Sequence, residues 1–213
     1  MAEKQTLKCI CEKQACWRDT GNRLPAYCDA NNYLEELEES TREYPKQGVV
    51  EVYKASCAVH EHNGGMTPRI EEVMLYAREL GLKKIGFAAC VSMADELGLL
   101  VKLFTGAGFE VYAASCQMGG IEPEKRGVPE VAGLQGSGCN PIAQAAMLNK
   151  AGTELNLVVG LCLGHDILFN RYSKAPVSTL IVKDRAMGNN PAAALYGYHR
   201  RKELFRHFKA GKP

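Results

Sequence analysis

"KKIGFAACVSMADELG", residues 83–98, runs an apolar stretch of strand length into a cysteine and then into a helix-forming segment. "LNLVVGLCLGHDILF", residues 155–169, repeats the same order. A short, nearly continuous apolar run fits a strand buried on both faces, as in a parallel sheet. Working outward, "FEVYAASC" (109–116) and "VSTLIVKD" (177–184) read as two more strands. Helices are expected over about 94–106, from Asn140-Pro141 to Gly152, and over 165–172. Strands alternating with helices predict an α/β fold: a Rossmann-like open parallel sheet with right-handed crossovers and helices on both faces.

Before that core, residues 31–82 read as helical. A charged helix over 31–46 is capped by Asn31 or Asn32. A second, over 48–62, carries Val49, Val52, Tyr53, Ser56, Cys57 and His60 at helical spacing, which turns Cys57 inward as a small core residue. His60 and His62 fall at its end, as helix-end cations, solvated residues or ligands. Thr67 caps a third helix, with Pro68 at its first position and Gly81 at its end. A basic helix near 197–208 presents a solvated face. The segments 1–30 (cysteine-rich), 31–82 (helical) and 83–213 (α/β core) are expected to pack as one compact domain.

The chain has 213 residues, 46% of them hydrophobic, enough for a sizeable core. Lysine and arginine number 26 against 24 acidic residues, a net charge of +2 that gives no strong field for nucleic acid or membrane. No apolar run reaches membrane-spanning length, and "MAEKQTLKCIC" lacks a signal core, so a cytoplasmic protein is expected. Nothing in the sequence fixes an oligomeric state.

Nine cysteines are many for a chain expected in a reducing compartment. Cys90, Cys116 and Cys162 each follow a strand at its carboxyl end, the edge where open parallel sheets bind ligands. Cys139 reaches that edge just before the Asn140-Pro141 helix, and the loop 117–138 could fold over it as a lid. Cys90, Cys139 and Cys162 precede helix N-termini, where an anion is stabilised and a thiol leans toward thiolate. Several thiolates together repel unless a cation is shared, so the set favours a metal or an iron–sulfur cluster. His165 stands close enough in sequence to line the pocket. Asn140 and Asp166 are either hydrogen-bonding ligand contacts or helix caps, and Lys174 and Arg185 are anion contacts or surface charges.

Cys9, Cys11, Cys16 and Cys28 form a second four-thiol set in a segment with no core of its own, which points to another metal or cluster site, zinc and iron–sulfur being nearly even. A competing reading is local: Gly160-Leu161-Cys162-Leu163-Gly164 matches a nucleophile elbow, with His165 as base, and implies a hydrolase or acyltransferase. That reading leaves Cys90, Cys116 and Cys139 without a role.

The cysteine-rich start through Cys28, with "KKIGFAAC", "FEVYAASCQMGGI", "CNPIAQAAMLNKAGTELNLVVGLCLGHD" and "YSKAPVSTLIVKDR", resembles a family of cysteine-rich proteins of archaea and anaerobic bacteria. That family is classed as a domain of unknown function and described as metal-binding. The resemblance implies that Cys90, Cys116, Cys139 and Cys162 belong to its motifs, with Asn140, His165, Asp166, Lys174, Asp184 and Arg185. The opening departs from the family's C-x2-C-x4-C: here it is Cys9-x-Cys11-x4-Cys16. The leading expectation is an iron–sulfur protein, with a four-iron cluster at the sheet edge, acting on a small molecule or passing electrons to a partner. A zinc-binding structural or interaction protein is the alternative.

Overall fold

The computed structural model describes residues 7, 16, 24–62, 64–125, 127 and 138–208. Contacts divide the chain into two units, Met1–Cys57 and Ala58–Pro213. In the first, a 3-10 turn, Asp29–Tyr33, leads into α1, Leu34–Glu43. Asn31 does not cap that helix. Its side-chain amide donates back to the Pro25 carbonyl at 2.7 Å and ties the entry turn instead. The helix α2, Val49–His62, crosses from one unit into the next.

Cys57 is exposed, against the expectation that it faces inward. The buried positions of α2 are Ala55 and Val59, one helical turn apart. At about 100° per residue, position 57 lies about 200° from 55, on nearly the opposite side. Val52 and Tyr53 are exposed with it. The helical period was legible; the buried face was not.

In the second unit α3 spans Arg69–Glu79. Pro68 has an extended backbone and is the N-cap, so the helix starts one residue later than the sequence suggested. Thr67 makes no capping bond. The chain then alternates: β1 Lys84–Ala89, a short 3-10 turn Val91–Met93, α4 Ala94–Gly106, β2 Glu110–Ser115, α5 Pro141–Ala151, β3 Leu155–Val159, α6 Leu163–Tyr172 and β4 Val177–Ile181. α6 starts two residues before the expected 165. Two helices follow, α7 Ala193–Tyr196 and α8 Tyr198–His207.

The four strands form one parallel sheet in the order β2-β1-β3-β4. The outer strands are less buried than the central pair: β3 is buried throughout and β1 from Ile85 onward. This explains why "KIGFAA" and "LNLVV" carry the strongest sequence signal. Right-handed crossovers put α4 on one face of the sheet and α5 with α6 on the other, and α5 packs against α6. Arg69 at one end of α3 donates to the Ser178 hydroxyl of β4, and Arg78 at the other donates to the Ala107 carbonyl after α4.

The core is tightly set at two glycines. Gly86 on β1 pairs in register with Asn156 on β3, and a Cβ at Gly86 would lie 2.0 Å from the Asn156 side-chain oxygen. Asn156 is fully buried and satisfied: it donates to the Ser173 hydroxyl and accepts from the Thr153 hydroxyl, each at 2.8 Å. Gly160, just after β3, has φ +60°, and a Cβ there would lie 2.6 Å from Met93 Cγ. Phe87 and Phe104 meet edge to face with centroids 5.1 Å apart; full burial of each such ring stabilises by about 2–3 kcal/mol.

Candidate functional site

The strand order fixes where chemistry can gather. From β1 the chain moves outward to β2, then crosses back over β1 to β3. The carboxyl ends of β1 and β3 therefore flank the point where the winding reverses, the usual crevice of such a sheet. Cys90 leaves β1 there and Cys162 leaves β3. Cys116 leaves β2 beside β1. Cys139 is brought to it by backbone: the Asn140 N–H donates to the Cys116 carbonyl at 2.8 Å.

The four thiols lie at this one edge as two differently held pairs. Cys116 and Cys139 have their Sγ atoms 3.4 Å apart. Cys90 and Cys162 share an ammonium: Lys183 Nζ lies 2.7 Å from Cys90 Sγ and 3.8 Å from Cys162 Sγ. Lys183 also reaches the Ser92 hydroxyl at 3.3 Å, which in turn lies 3.3 Å from Cys90 Sγ. The pairs are bridged locally, since the Val91 N–H, next to Cys90, donates to Cys116 Sγ at 3.3 Å. Among the described residues no group of three or more His, Cys, Asp or Glu side chains stands close enough to hold a single metal ion. The convergence of sulfurs is present; a closed tetrahedron is not.

The environment separates the thiols chemically. Burial alone would raise the Cys90 pKa, but hydrogen bonds from Lys183 and Ser92, with the lysine charge, bring it down to about 7. Cys116 moves the other way, to about 12. Its burial dominates, the Val91 N–H offsets only part, and Cys139 and Cys90 add unfavourable charge. So one sulfur of the set leans toward thiolate and another is held as thiol.

Gln144 on α5 braces this edge. It is fully buried, and its side-chain N–H donates both to the Ala89 carbonyl at 3.1 Å and to the Ala114 carbonyl at 2.7 Å. Those carbonyls lie at the ends of β1 and β2, just before Cys90 and Cys116. Lys183 and Gln144 were missed by sequence reasoning. A lysine two residues beyond a fourth strand was a usable signal for the first; a buried glutamine in an alanine-rich helix was a weaker one.

Of the other expected residues, Asn140, His165 and Arg185 lie toward the same edge and Lys174 does not. Asn140 is occupied structurally: it caps α5 through Ala143 N–H at 2.9 Å and donates to the Gly119 carbonyl at 2.8 Å. Asp166 accepts from the Asn170 amide at 2.8 Å, and burial raises its carboxyl pKa against the lowering effect of hydrogen bonds from Asn170 and Thr179. His165 lies on α6 near Lys183, with its pKa lowered by burial and then by the lysine charge. Lys174 precedes β4 and so lies at the opposite, amino edge of the sheet. Arg185 follows β4 in an exposed turn, where Asp184 accepts from the Ala186 and Met187 N–H groups.

Cys9 and Cys11 lie outside the described residues, as does half of the loop expected to act as a lid, residues 126 and 128–137. Cys16 is exposed, Cys28 half-buried, and both are free thiols. Among the described residues no helix is long and apolar enough to cross a membrane.

The chain is 39% identical over 163 residues to "Uncharacterized protein MJ0455" of Methanocaldococcus jannaschii, an alignment covering 76% of this chain and 84% of that protein. A family profile described as "Protein of unknown function (DUF1847)" matches residues 28–180, a span that contains the whole sheet but for the last residue of β4, and all four clustered cysteines. The chain therefore belongs to the DUF1847 family of proteins of unknown function.

Proposed function

We propose that the protein holds a thiolate-ligated iron–sulfur cluster at the carboxyl edge of its sheet, on Cys90, Cys116, Cys139 and Cys162. The observation that carries the reading is the meeting of four sulfurs from four separate segments at one rim, beside a half-buried lysine. Two thiolates on one tetrahedral zinc lie about 3.8 Å apart, from Zn–S bonds near 2.3 Å, and the Cys116–Cys139 spacing of 3.4 Å is close to such an edge. The second pair stands off around Lys183, which suits a cluster with its ligands spread over more than one metal better than a closed zinc site. Two sulfurs so close favour a two-iron cluster, where one iron takes two thiolates, over the four-iron cube expected from sequence.

Such a cluster would supply one-electron transfer to a small molecule or partner protein. The chain's own contribution would be electrostatic. Lys183 donates to Cys90, offsets negative charge on the sulfurs, and by doing so favours the reduced state. Gln144 fixes the spacing of the strand ends. The N-terminal cysteines Cys9, Cys11, Cys16 and Cys28 would form a second metal site, and Arg185 would meet an anionic substrate at the same edge.

The elbow reading has less support. The left-handed residue of the turn is Gly160, whereas Cys162 has an ordinary extended backbone, φ −64° and ψ 149°, with none of the strain that exposes an elbow nucleophile.

Anaerobic purification with iron and sulfide reconstitution tests the proposal. Iron and inorganic sulfide in equal amounts, with visible absorption lost in Cys90→Ser and Cys116→Ser, are expected. Stoichiometric zinc with no iron would shift the assignment to zinc, and no bound metal at all would sink both.

A further inference from the structure

We infer that Cys116 and Cys139 also form a thiol–disulfide exchange site for small aliphatic disulfides, with Cys139 the entering sulfur and Cys116 the resolving one. The inference goes beyond the metal reading, because it needs only these two sulfurs and no ion.

Three observations carry it. The Sγ atoms lie only 3.4 Å apart, within about 1.4 Å of the ~2.05 Å length of a disulfide bond. The backbone holds the two residues together, through the Asn140 N–H on the Cys116 carbonyl at 2.8 Å. The two differ in access: Cys116 is 1% exposed, whereas Cys139 is only half-buried. A disulfide arriving from solvent therefore meets Cys139 first.

The step balances. The Cys139 thiolate, its proton lost to solvent, attacks one sulfur of RS–SR, forms a mixed disulfide and expels RS⁻. The Gln117 amide, 3.3 Å from Cys139 Sγ, donates to that sulfur as it carries charge. Cys116, a thiol until the mixed disulfide has formed, then gives its proton to solvent and attacks the Cys139 sulfur, breaking the mixed S–S bond and releasing the second RS⁻. The Val91 N–H, 3.3 Å from Cys116 Sγ, stabilises the charge that develops on it. The two thiolates take up the two protons, so two cysteine thiols are oxidised and one external disulfide becomes two thiols.

The test uses the full chain, reduced, chelated free of metal and treated anaerobically with oxidised glutathione, followed by alkylation and peptide mapping. The expected result is two alkylatable thiols lost per chain to an internal Cys116–Cys139 link, with glutathione trapped on Cys139 in Cys116→Ser. An internal link from Cys116 to Cys90 instead, a stable glutathione adduct on wild-type Cys139, or no adduct on Cys139 in Cys116→Ser would overturn it. Metal content measured on parallel reconstituted samples keeps the two readings apart: exchange without iron binding sinks only the cluster, and iron binding without exchange sinks only this site.

Discussion

The ammonium of Lys183, beyond the end of β4, lies 2.7 Å from the thiol of Cys90, beyond the end of β1, although β3 lies between those two strands. This contact makes Cys90 unlike an ordinary cysteine. In the reduced, metal-free protein, alkylation of Cys90 should rise with pH around a midpoint of about 7. Lys183 favours the charged form, so Lys183→Met should move the midpoint up, toward the ordinary value of 9.0 or beyond. Rates of iodoacetamide labelling across pH 5–10, read by peptide mapping, decide this. An unchanged midpoint would remove Lys183 from the site.

Cys57 offers the internal control. It is exposed and lies in the helical segment outside the sheet. Cys57→Ser should leave iron content and visible absorption as in the wild type, while Cys90→Ser should abolish both. Equal losses in the two variants would mean that the thiols act by general redox protection rather than as ligands.

Gln144→Leu should weaken the site from a distance. The change leaves the Ala114 carbonyl without its 2.7 Å donor and removes one of the donors to Ala89. A buried group left unpaired costs about 1–3 kcal/mol, which urea unfolding can measure. Iron retention against a competing chelator should fall as well, because the strand ends that carry Cys90 and Cys116 lose their common brace. Lower stability with unchanged retention would assign Gln144 to the fold alone.

Gly86→Ala should be among the most damaging small substitutions in the chain. The added methyl would meet the Asn156 oxygen at 2.0 Å in a fully buried, fully bonded position. Overpacking of this kind costs about 1–3 kcal/mol, and the neighbouring Asn156 bonds would be strained with it. Gly98→Ala, where nothing lies within 4 Å, is the matched comparison and should be neutral or slightly stabilising. Denaturant midpoints of the two variants measure the contrast.

Glu154 predicts an acid dependence. Its carboxylate accepts from the Lys84 and Lys83 N–H groups at 2.8 and 2.7 Å, which hold its pKa below the ordinary value. A folded-state pKa below the unfolded one means that the contribution is present above the unfolded value, near 4.3. It is lost as pH falls through the folded one. Glu154→Ala should cost about 1 kcal/mol at pH 7, the group being exposed, and should flatten the fall in stability between pH 5 and 3. A parallel loss at all pH values would contradict the charge effect.

The parallel sheet was legible because β1 and β3 are buried on both faces, which writes an uninterrupted apolar run into the sequence. The cysteine positions at their ends followed from that. What stayed hidden depends on contacts distant along the chain. The inward face of α2 is chosen by packing partners, so the spacing of Val52, Tyr53 and Cys57 alone could not identify it. Lys183 looks like any lysine after a strand until the sheet order brings it to Cys90. The split of four thiols into two pairs is likewise set by rotamers and by one ammonium, neither of which leaves a spacing in the sequence.

The rim has a thermodynamic consequence. Its sulfurs belong to segments far apart along the chain, so an unfolded polypeptide would pay a large loop-closure entropy to gather them again. Any occupant that needs the whole set would thus recognise the native state almost alone. Its binding would raise the melting temperature by mass action, and its release on heating would coincide with collapse of the sheet rather than precede it.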